Sequence, residues 1–150
     1  IGLSLVGSEM CIRDSYYSMA QTLPLDLFLP ASGTGLLAVS VLHLNNMRDR
    51  EEDLKHKKQT IAGYLGHEQS KVYFAILSLI PFVLFGIYAL EHGFENPQYI
   101  FLVPLPIVAK NIRTVLKNSD PSQLDGLLKV NAFSSFVLAL LFLVGNVWLG

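Results

Sequence analysis

Long apolar stretches of the chain run without a charge, among them Val72–Leu90, VYFAILSLIPFVLFGIYAL, with nineteen residues, and Val130–Leu149, VNAFSSFVLALLFLVGNVWL, with twenty. A helix rises about 1.5 Å per residue and crosses a hydrocarbon core of roughly 30 Å in about twenty residues. Both stretches therefore predict membrane-spanning helices. Both are internal, and neither has the short apolar core and cleavage site of a secretory signal. Two further segments are apolar but interrupted. Leu27–Asn45, LFLPASGTGLLAVSVLHLN, carries Ala31, Ser32, Gly33 and Gly35, small residues that let helices approach closely in lipid. The segment from Gln98, QYIFLVPLPIVAKNIRTVL, is broken by Pro104 and Pro106 and continues as helix past Lys110, whose flexible stem lets its ammonium reach the interface. Pro81 predicts a kink in the Val72–Leu90 helix. The expected fold class is all-α, an integral membrane bundle with four transmembrane helices. There is no internal repeat.

The polar positions between these segments alternate in charge. With Arg13 set aside, every Lys and Arg falls in one of two places. Arg48, Arg50, Lys55, Lys57, Lys58 and Lys71 lie between segments one and two. Lys110, Arg113, Lys117 and Lys129 lie between or border segments three and four. The connection Glu91–Pro97, EHGFENP, has none, and neither does Tyr16–Asp26. The positive-inside rule then places both basic loops in the cytoplasm and both chain ends outside. Composition agrees with a bilayer environment: 51% of residues are hydrophobic and 15% charged, against about a quarter charged in soluble domains, with a mean hydropathy of +0.43. The net charge of −1 adds nothing as a total. One cysteine permits no internal disulfide. The partner these features predict is the lipid bilayer, and no nucleic-acid partner is expected.

The chemistry concentrates in Asn45–Thr60, NNMRDREEDLKHKKQT. Asn45, Asp49 and Asp53 are spaced by four, so a helix places them on one face, with Cβ atoms roughly 5–6 Å apart. Stacked carboxylates repel, and a hard divalent cation would offset that repulsion. Mg²⁺ accepts one or two carboxylates and takes its other ligands from water and phosphate oxygens. Arg48, Lys57 and Lys58 add cations suited to phosphate. Carboxylates, a metal and cations at a membrane mouth suggest a lipid diphosphate ligand. The spacing equally allows a solvated loop laced by pairs such as Glu51–Lys55. It is not an EF-hand loop, because no glycine stands at the required turn. Other polar residues have plainer expectations. His43 bonds a neighbouring helix or acts as a functional intramembrane group, His56 is a solvated loop histidine or reaches the metal, and Tyr99 and Trp148 are interface anchors.

Phe28–Gly66, FLPASGTGLLAVSVLHLNNMRDREEDLKHKKQTIAGYLG, resembles the second aspartate-rich region of the UbiA superfamily of intramembrane aromatic prenyltransferases. NNxRDxxxD followed by Lys, Thr and Leu-Gly is similar to the branch acting on 1,4-dihydroxy-2-naphthoate in menaquinone synthesis. Val108–Leu140 resembles the C-terminal part of that branch. The resemblance covers nearly everything after about residue 20. It implies a multi-pass protein of the inner (plasma) membrane that uses polyprenyl diphosphate, 1,4-dihydroxy-2-naphthoate and Mg²⁺. It also implies roles: Asp49 and Asp53 as metal ligands and catalytic residues, Lys58 as a catalytic cation, and Arg48, Asn45, Asn46 and Lys57 around the diphosphate. Members often have Gly-Lys before the threonine, where this chain has Lys57-Lys58. The family has nine membrane helices and two facing aspartate-rich motifs, so residues 16–150 are expected to be the C-terminal part of such a domain, with four helices and the second motif. Two other functions stay open from the residues: a UbiA-type enzyme for a different aromatic acceptor, and a small non-enzymatic membrane protein whose charged loop is a contact surface.

Residues 5–15, LVGSEMCIRDS, have no apolar periodicity and contain the only cysteine, Cys11. The string matches one reading frame of a transposon-type sequencing-library adapter. Residues 1–15 are therefore expected to be a non-native segment and take no part in the fold reasoning.

Overall fold

The computed structural model describes residues 27–118 and 124–148, and these are helical with no strand among them. Helix α1 spans Phe28–Arg48, α2 Arg50–Lys55, α3 Ile61–Glu91, α4 Leu105–Lys117 and α5 Leu124–Trp148, and a 3₁₀ helix at Asn96–Leu102 joins α3 to α4. Four segments are long and apolar enough to cross a membrane: Phe28–Arg48, Ile61–Glu91, Gln98–Lys117 and Leu124–Trp148. The protein is a multi-pass helical membrane protein, as the apolar pattern predicts. Backbone polar groups in lipid have no water to bond, which is why the spans are helical along most of their apolar length, the third with a turn at Val103 and Pro104 between its 3₁₀ helix and α4. The outward faces stay apolar: Val83, Phe133, Phe136 and Val147 are all well exposed on the bundle surface.

Close packing starts from the small residues of α1. A Cβ built on Gly33 would lie 2.5 Å from Cε1 of Phe85 on α3. Phe85 cannot yield, because it is fully buried and stacked on Phe142 of α5 with ring centroids 4.3 Å apart. Phe142 in turn meets Phe101 of the 3₁₀ helix edge-on at 5.7 Å. One aromatic cluster thus joins three elements at the end of the bundle opposite the charged loop. Gly145 does the same work on α5. A Cβ there would lie 2.6 Å from the carbonyl oxygen of Gln98, so helix and 3₁₀ backbone touch directly. Polar contacts add register in the middle. Asn131 on α5 donates to the Ser40 hydroxyl on α1 at 3.2 Å, and Ser40 donates to the Leu37 carbonyl at 2.8 Å.

Several boundaries differ from the apolar pattern. The second span begins as helix at Ile61, not Val72, because hydropathy marks entry into hydrocarbon and not the first helical turn. Lys71, counted above with the loop, lies buried inside α3 with its ammonium 2.8 Å from Glu68. Pro81 lies inside α3, and a separate kink that the apolar pattern does not predict falls at Gly66, where φ is 78° and ψ −179°, the one non-helical residue within α3. That region of backbone space is essentially restricted to glycine. Pro104 and Pro106 open α4 instead of bending it, since first-turn N–H groups lack intrahelical partners and proline costs nothing there. Tyr99 is drawn into the aromatic cluster, 6.1 Å from Phe101, whereas Trp148 is exposed at the end of α5.

A paired substitution tests the packing. Gly86 lies in α3 with nothing within 4 Å of an added Cβ, so Gly86→Ala should raise stability by about 0.5–1 kcal/mol through the ordinary helix preference. Gly33→Ala should reverse the sign and cost about 1–3 kcal/mol as an overpacked contact. Thermal unfolding in detergent, followed by gel filtration, reads both. Equal gains at the two glycines would show that α1 and α3 do not approach at Gly33.

Candidate functional site

The charged motif sits where α1 ends, α2 forms and α3 begins. Regular helical hydrogen bonds nearly continue across the α1–α2 join. Asp49 N–H donates to the Asn45 carbonyl at 3.0 Å and Asp53 N–H to the Asp49 carbonyl at 2.9 Å. Asp49 itself leaves helical geometry, at φ −87° and ψ 4°. The join keeps Asn45, Asp49 and Asp53 at one-turn intervals, as the spacing predicts. Glu51, Glu52 and Asp53 fill the first turn of α2 and Lys55 its last, which suits the helix dipole at both ends. That alone accounts for part of the charge run.

Helix α2 ends in a tight reversal. Lys57 N–H donates to the Leu54 carbonyl at 3.2 Å and Lys58 N–H to the Asp53 carbonyl at 2.8 Å. Lys57 has a φ of 54°. These are the two bonds and the left-handed residue of a Schellman motif, a position usually taken by glycine. The same motif closes α3, with Gly93 at φ 64° and Phe94 N–H donating to the Ala89 carbonyl at 2.9 Å. The Lys57-Lys58 departure therefore falls on a turn that retains its form with a lysine in the strained position. The reversal carries Lys58 back over α2, with its Nζ 3.2 Å from Asp53 Oδ1. Thr60 then caps α3, its Oγ1 accepting from Gly63 N–H at 3.1 Å, and Arg50 Nε donates to the Ala62 carbonyl at 3.1 Å.

The predicted residues fall into two groups. In the first, Arg48 donates from Nε and Nη2 to the two oxygens of Asp49, at 2.7 and 3.0 Å, and Asn45 Nδ2 donates to Asp49 Oδ2 at 3.3 Å. The Arg48 hydrogen bonds hold the Asp49 carboxyl below its usual range. In the second, Asp53 is buried and shares Oδ1 with Lys58, while its Oδ2 has no hydrogen-bond partner among the described residues. Asn46 is half-buried, and Lys57 is exposed on an open groove of about 550 Å³ lined also by Lys58, Thr60 and Tyr64. His56 is exposed, and the Glu51–Lys55 pair that the spacing allows does not form among the described residues. His43 is fully buried and its Nε2–H donates to the Ser70 carbonyl at 3.1 Å, tying α1 to α3 beyond the Gly66 kink.

Asp125 is the residue that the motif does not reveal. It lies in the first turn of α5, and its Oδ1 accepts from Arg48 Nη1 at 2.8 Å. Its separation from Arg48 by 77 positions in the chain leaves no local signal. Arg48 thus joins two helix ends through two carboxylates. The orphaned oxygen of Asp53 and the two-carboxylate donor set fit Mg²⁺, which needs few protein ligands. No group of three or more His, Cys, Asp or Glu suited to a metal occurs among the described residues, so water and substrate oxygens would supply the remaining ligands.

A model of the UbiA prenyltransferase family matches residues 10–136. The chain belongs to the UbiA prenyltransferase family. The match begins inside the 5–15 stretch set aside above, which lies outside the described residues. Two curated relatives are similar along nearly the whole chain. The 1,4-dihydroxy-2-naphthoate octaprenyltransferase of Haemophilus influenzae is 33% identical over 134 residues, 89% of this chain and 44% of that protein. The protein of the same description from Escherichia coli (strain K12) is 33% identical over 139 residues, 91% of this chain and 44% of that protein. The chain therefore spans less than half the length of the relatives it matches. No solved structure matches it.

The Lys57 turn generates a prediction. Lys57→Gly removes a left-handed Cβ and should stabilise the protein by about 1 kcal/mol. Lys57→Ala keeps the Cβ and should give no such gain. Melting temperatures of the two variants decide between the turn and a general effect of charge removal, which would move both alike.

Proposed function

We propose that the whole protein transfers a polyprenyl group from polyprenyl diphosphate to 1,4-dihydroxy-2-naphthoate, releasing diphosphate and CO₂ and yielding demethylmenaquinol for menaquinone synthesis. The observation that carries this reading is the similarity to the two octaprenyltransferases across about nine-tenths of the chain. The charged helix ends support it, since Asp49 and Asp53 stand one turn apart beside Lys58 at the mouth of a membrane bundle. Asp49 and Asp53 would hold Mg²⁺. Bound there, it would supply positive charge to a diphosphate leaving group. The chain's own residues then act by position. Asn45 and Arg48 orient the Asp49 carboxylate, and Lys58 orients Asp53 and adds positive charge where the allylic C–O bond breaks with its electron pair leaving on oxygen. Lys57 and Asn46 line the approach of the diphosphate. The electron-rich naphthoate ring captures the allylic carbon, and its carboxylate leaves as CO₂.

The basic-residue alternation supports a location in the inner membrane with both charged loops in the cytoplasm. Cysteines introduced singly by His56→Cys and Glu95→Cys, in a background lacking Cys11, report the side. An impermeant thiol reagent on intact cells should label position 95 and not position 56. The opposite pattern would invert the topology.

Kinetics test the chemistry in the full-length enzyme. Asp49→Asn and Asp53→Asn preserve size but remove a metal-binding charge, so each should lower turnover by about a hundredfold or more. The double variant should lose less than the product of the two, because the carboxylates serve one site. Glu51→Gln and Glu52→Gln, in the same charge run and exposed, should cost little. Equal and mild losses at all four would remove Asp49 and Asp53 from the site. Turnover of another aromatic acceptor, with none of the naphthoate, would overturn the acceptor while leaving the family intact.

A further inference from the structure

Helices α1 and α5 run antiparallel, with Arg48 opposite Asp125 and Ser40 opposite Asn131. Between them lies an open groove of about 520 Å³. Ala38, Val41 and Leu42 form one wall, Leu128 and Ala132 the other, and the rim is polar, with Asn45 on α1 and Lys129 on α5. The small side chains of Ala38 and Ala132 keep it open along its apolar length. Asn45 is the residue that donates to Asp49, so the rim adjoins the carboxylate site.

The cations around this mouth are unequally engaged. Arg48 spends Nε and Nη2 on Asp49 and Nη1 on Asp125. Lys58 is on Asp53 and Lys71 on Glu68. Lys57 and Lys129 are exposed and form no ion pair among the described residues, and of the two Lys129 is the one that lines this groove. The carboxylate one turn before Lys129, Asp125, is turned to Arg48. The groove therefore joins an apolar trough to an unneutralised ammonium beside the carboxylate site, which complements an amphiphile with an anionic head. Lipid tails are as apolar as the trough, so a tail gains little by leaving the bilayer for it. Selection then falls on the head group and on the cation that meets it.

We infer that Lys129 binds the diphosphate head of the isoprenoid donor, with the first isoprene units lying in the α1/α5 groove. This rests on the proposed function. It assigns to Lys129 the phosphate contact that the motif suggested for Arg48, which instead acts as the strut holding Asp49 and Asp125 together.

The test uses full-length enzyme in detergent micelles, with donor and acceptor kinetics and equilibrium binding of geranylgeranyl thiodiphosphate, an unreactive donor analogue. Lys129→Ala should raise the donor KM and the analogue Kd about tenfold or more, with acceptor KM unchanged. Lys129→Arg should restore most of the loss. Ala132→Phe, which fills the trough, should weaken the analogue without weakening inorganic pyrophosphate. Lys117→Ala, an exposed cation on α4 away from the groove, serves as the control. Unchanged donor KM and Kd in Lys129→Ala, with an active wild type, would overturn the inference and leave the proposed function standing. A wild type that binds the analogue through Lys129 but does not prenylate the naphthoate would overturn the acceptor reading and support the inference. A Lys129 effect that appears only when phosphatidylglycerol is added would assign the groove to a phospholipid and overturn it.

Discussion

A polypeptide surrounded by hydrocarbon must satisfy its own backbone polar groups, and this constraint organises the protein. It forces the spans to be helical and expels irregular backbone to the helix ends, where water or side chains can meet it. Those ends are where the left-handed residues Lys57 and Gly93, the cap at Thr60 and the break at Asp49 all occur. Charged side chains obey the same rule. The carboxylates and cations of the candidate site thus share one mouth with the turns that position them. Gly66 is the exception that proves useful. Its kink lies one and a half turns into α3, and the Ala62 carbonyl before it accepts from both Arg50 and Ser70, so the departure from regularity is compensated by side chains.

Several residues of the charged motif have structural reasons that are independent of catalysis. Thr60 caps a helix, Gly66 adopts a backbone geometry barred to other residues, and Lys57 occupies a turn position suited to glycine. Glu51 and Glu52 sit where a helix N-terminus favours negative charge. Two carboxylates of the motif are engaged by other side chains: Asp49, clamped by Arg48 and Asn45, and Asp53, half satisfied by Lys58. A carboxylate held by three hydrogen bonds and one with an orphaned oxygen are not equivalent. The first is fully engaged by its neighbours, whereas the second keeps one buried oxygen without a partner among the described residues. Arg48 couples that local clamp to α5, so the position of the last helix and the orientation of Asp49 are linked.

The far end of the bundle has a different character. Glycine contacts and stacked rings, not charge, set the distances there. Phe142 is shared by Phe85, Phe101 and Tyr88, with centroid separations of 4.3, 5.7 and 5.6 Å. Two close glycine approaches, Gly33 to Phe85 and Gly145 to Gln98, bring α1 and α5 onto this cluster. In lipid, where apolar side chains gain little by meeting each other instead of lipid tails, such van der Waals fit carries much of the helix association. A rigid aromatic end and a polar, turn-rich mouth are two answers to one solvent.

The sequence by itself determined the fold class, the four spans, the alternation of basic loops and the register of Asn45, Asp49 and Asp53. Each depends on a property repeated along one segment: apolar length, charge sign between segments, or helical period. Local signals of this kind survive without knowledge of neighbours. Tertiary structure alone decided which small residues are contacts, since Gly33 and Gly86 look alike in the chain and only Gly33 faces an immovable ring. It also placed a kink at Gly66, packed Tyr99 against the aromatic cluster and paired Arg48 with Asp125. These outcomes depend on which side chain lies across an interface from which other, a distance of tens of residues along the chain and a few ångströms in space.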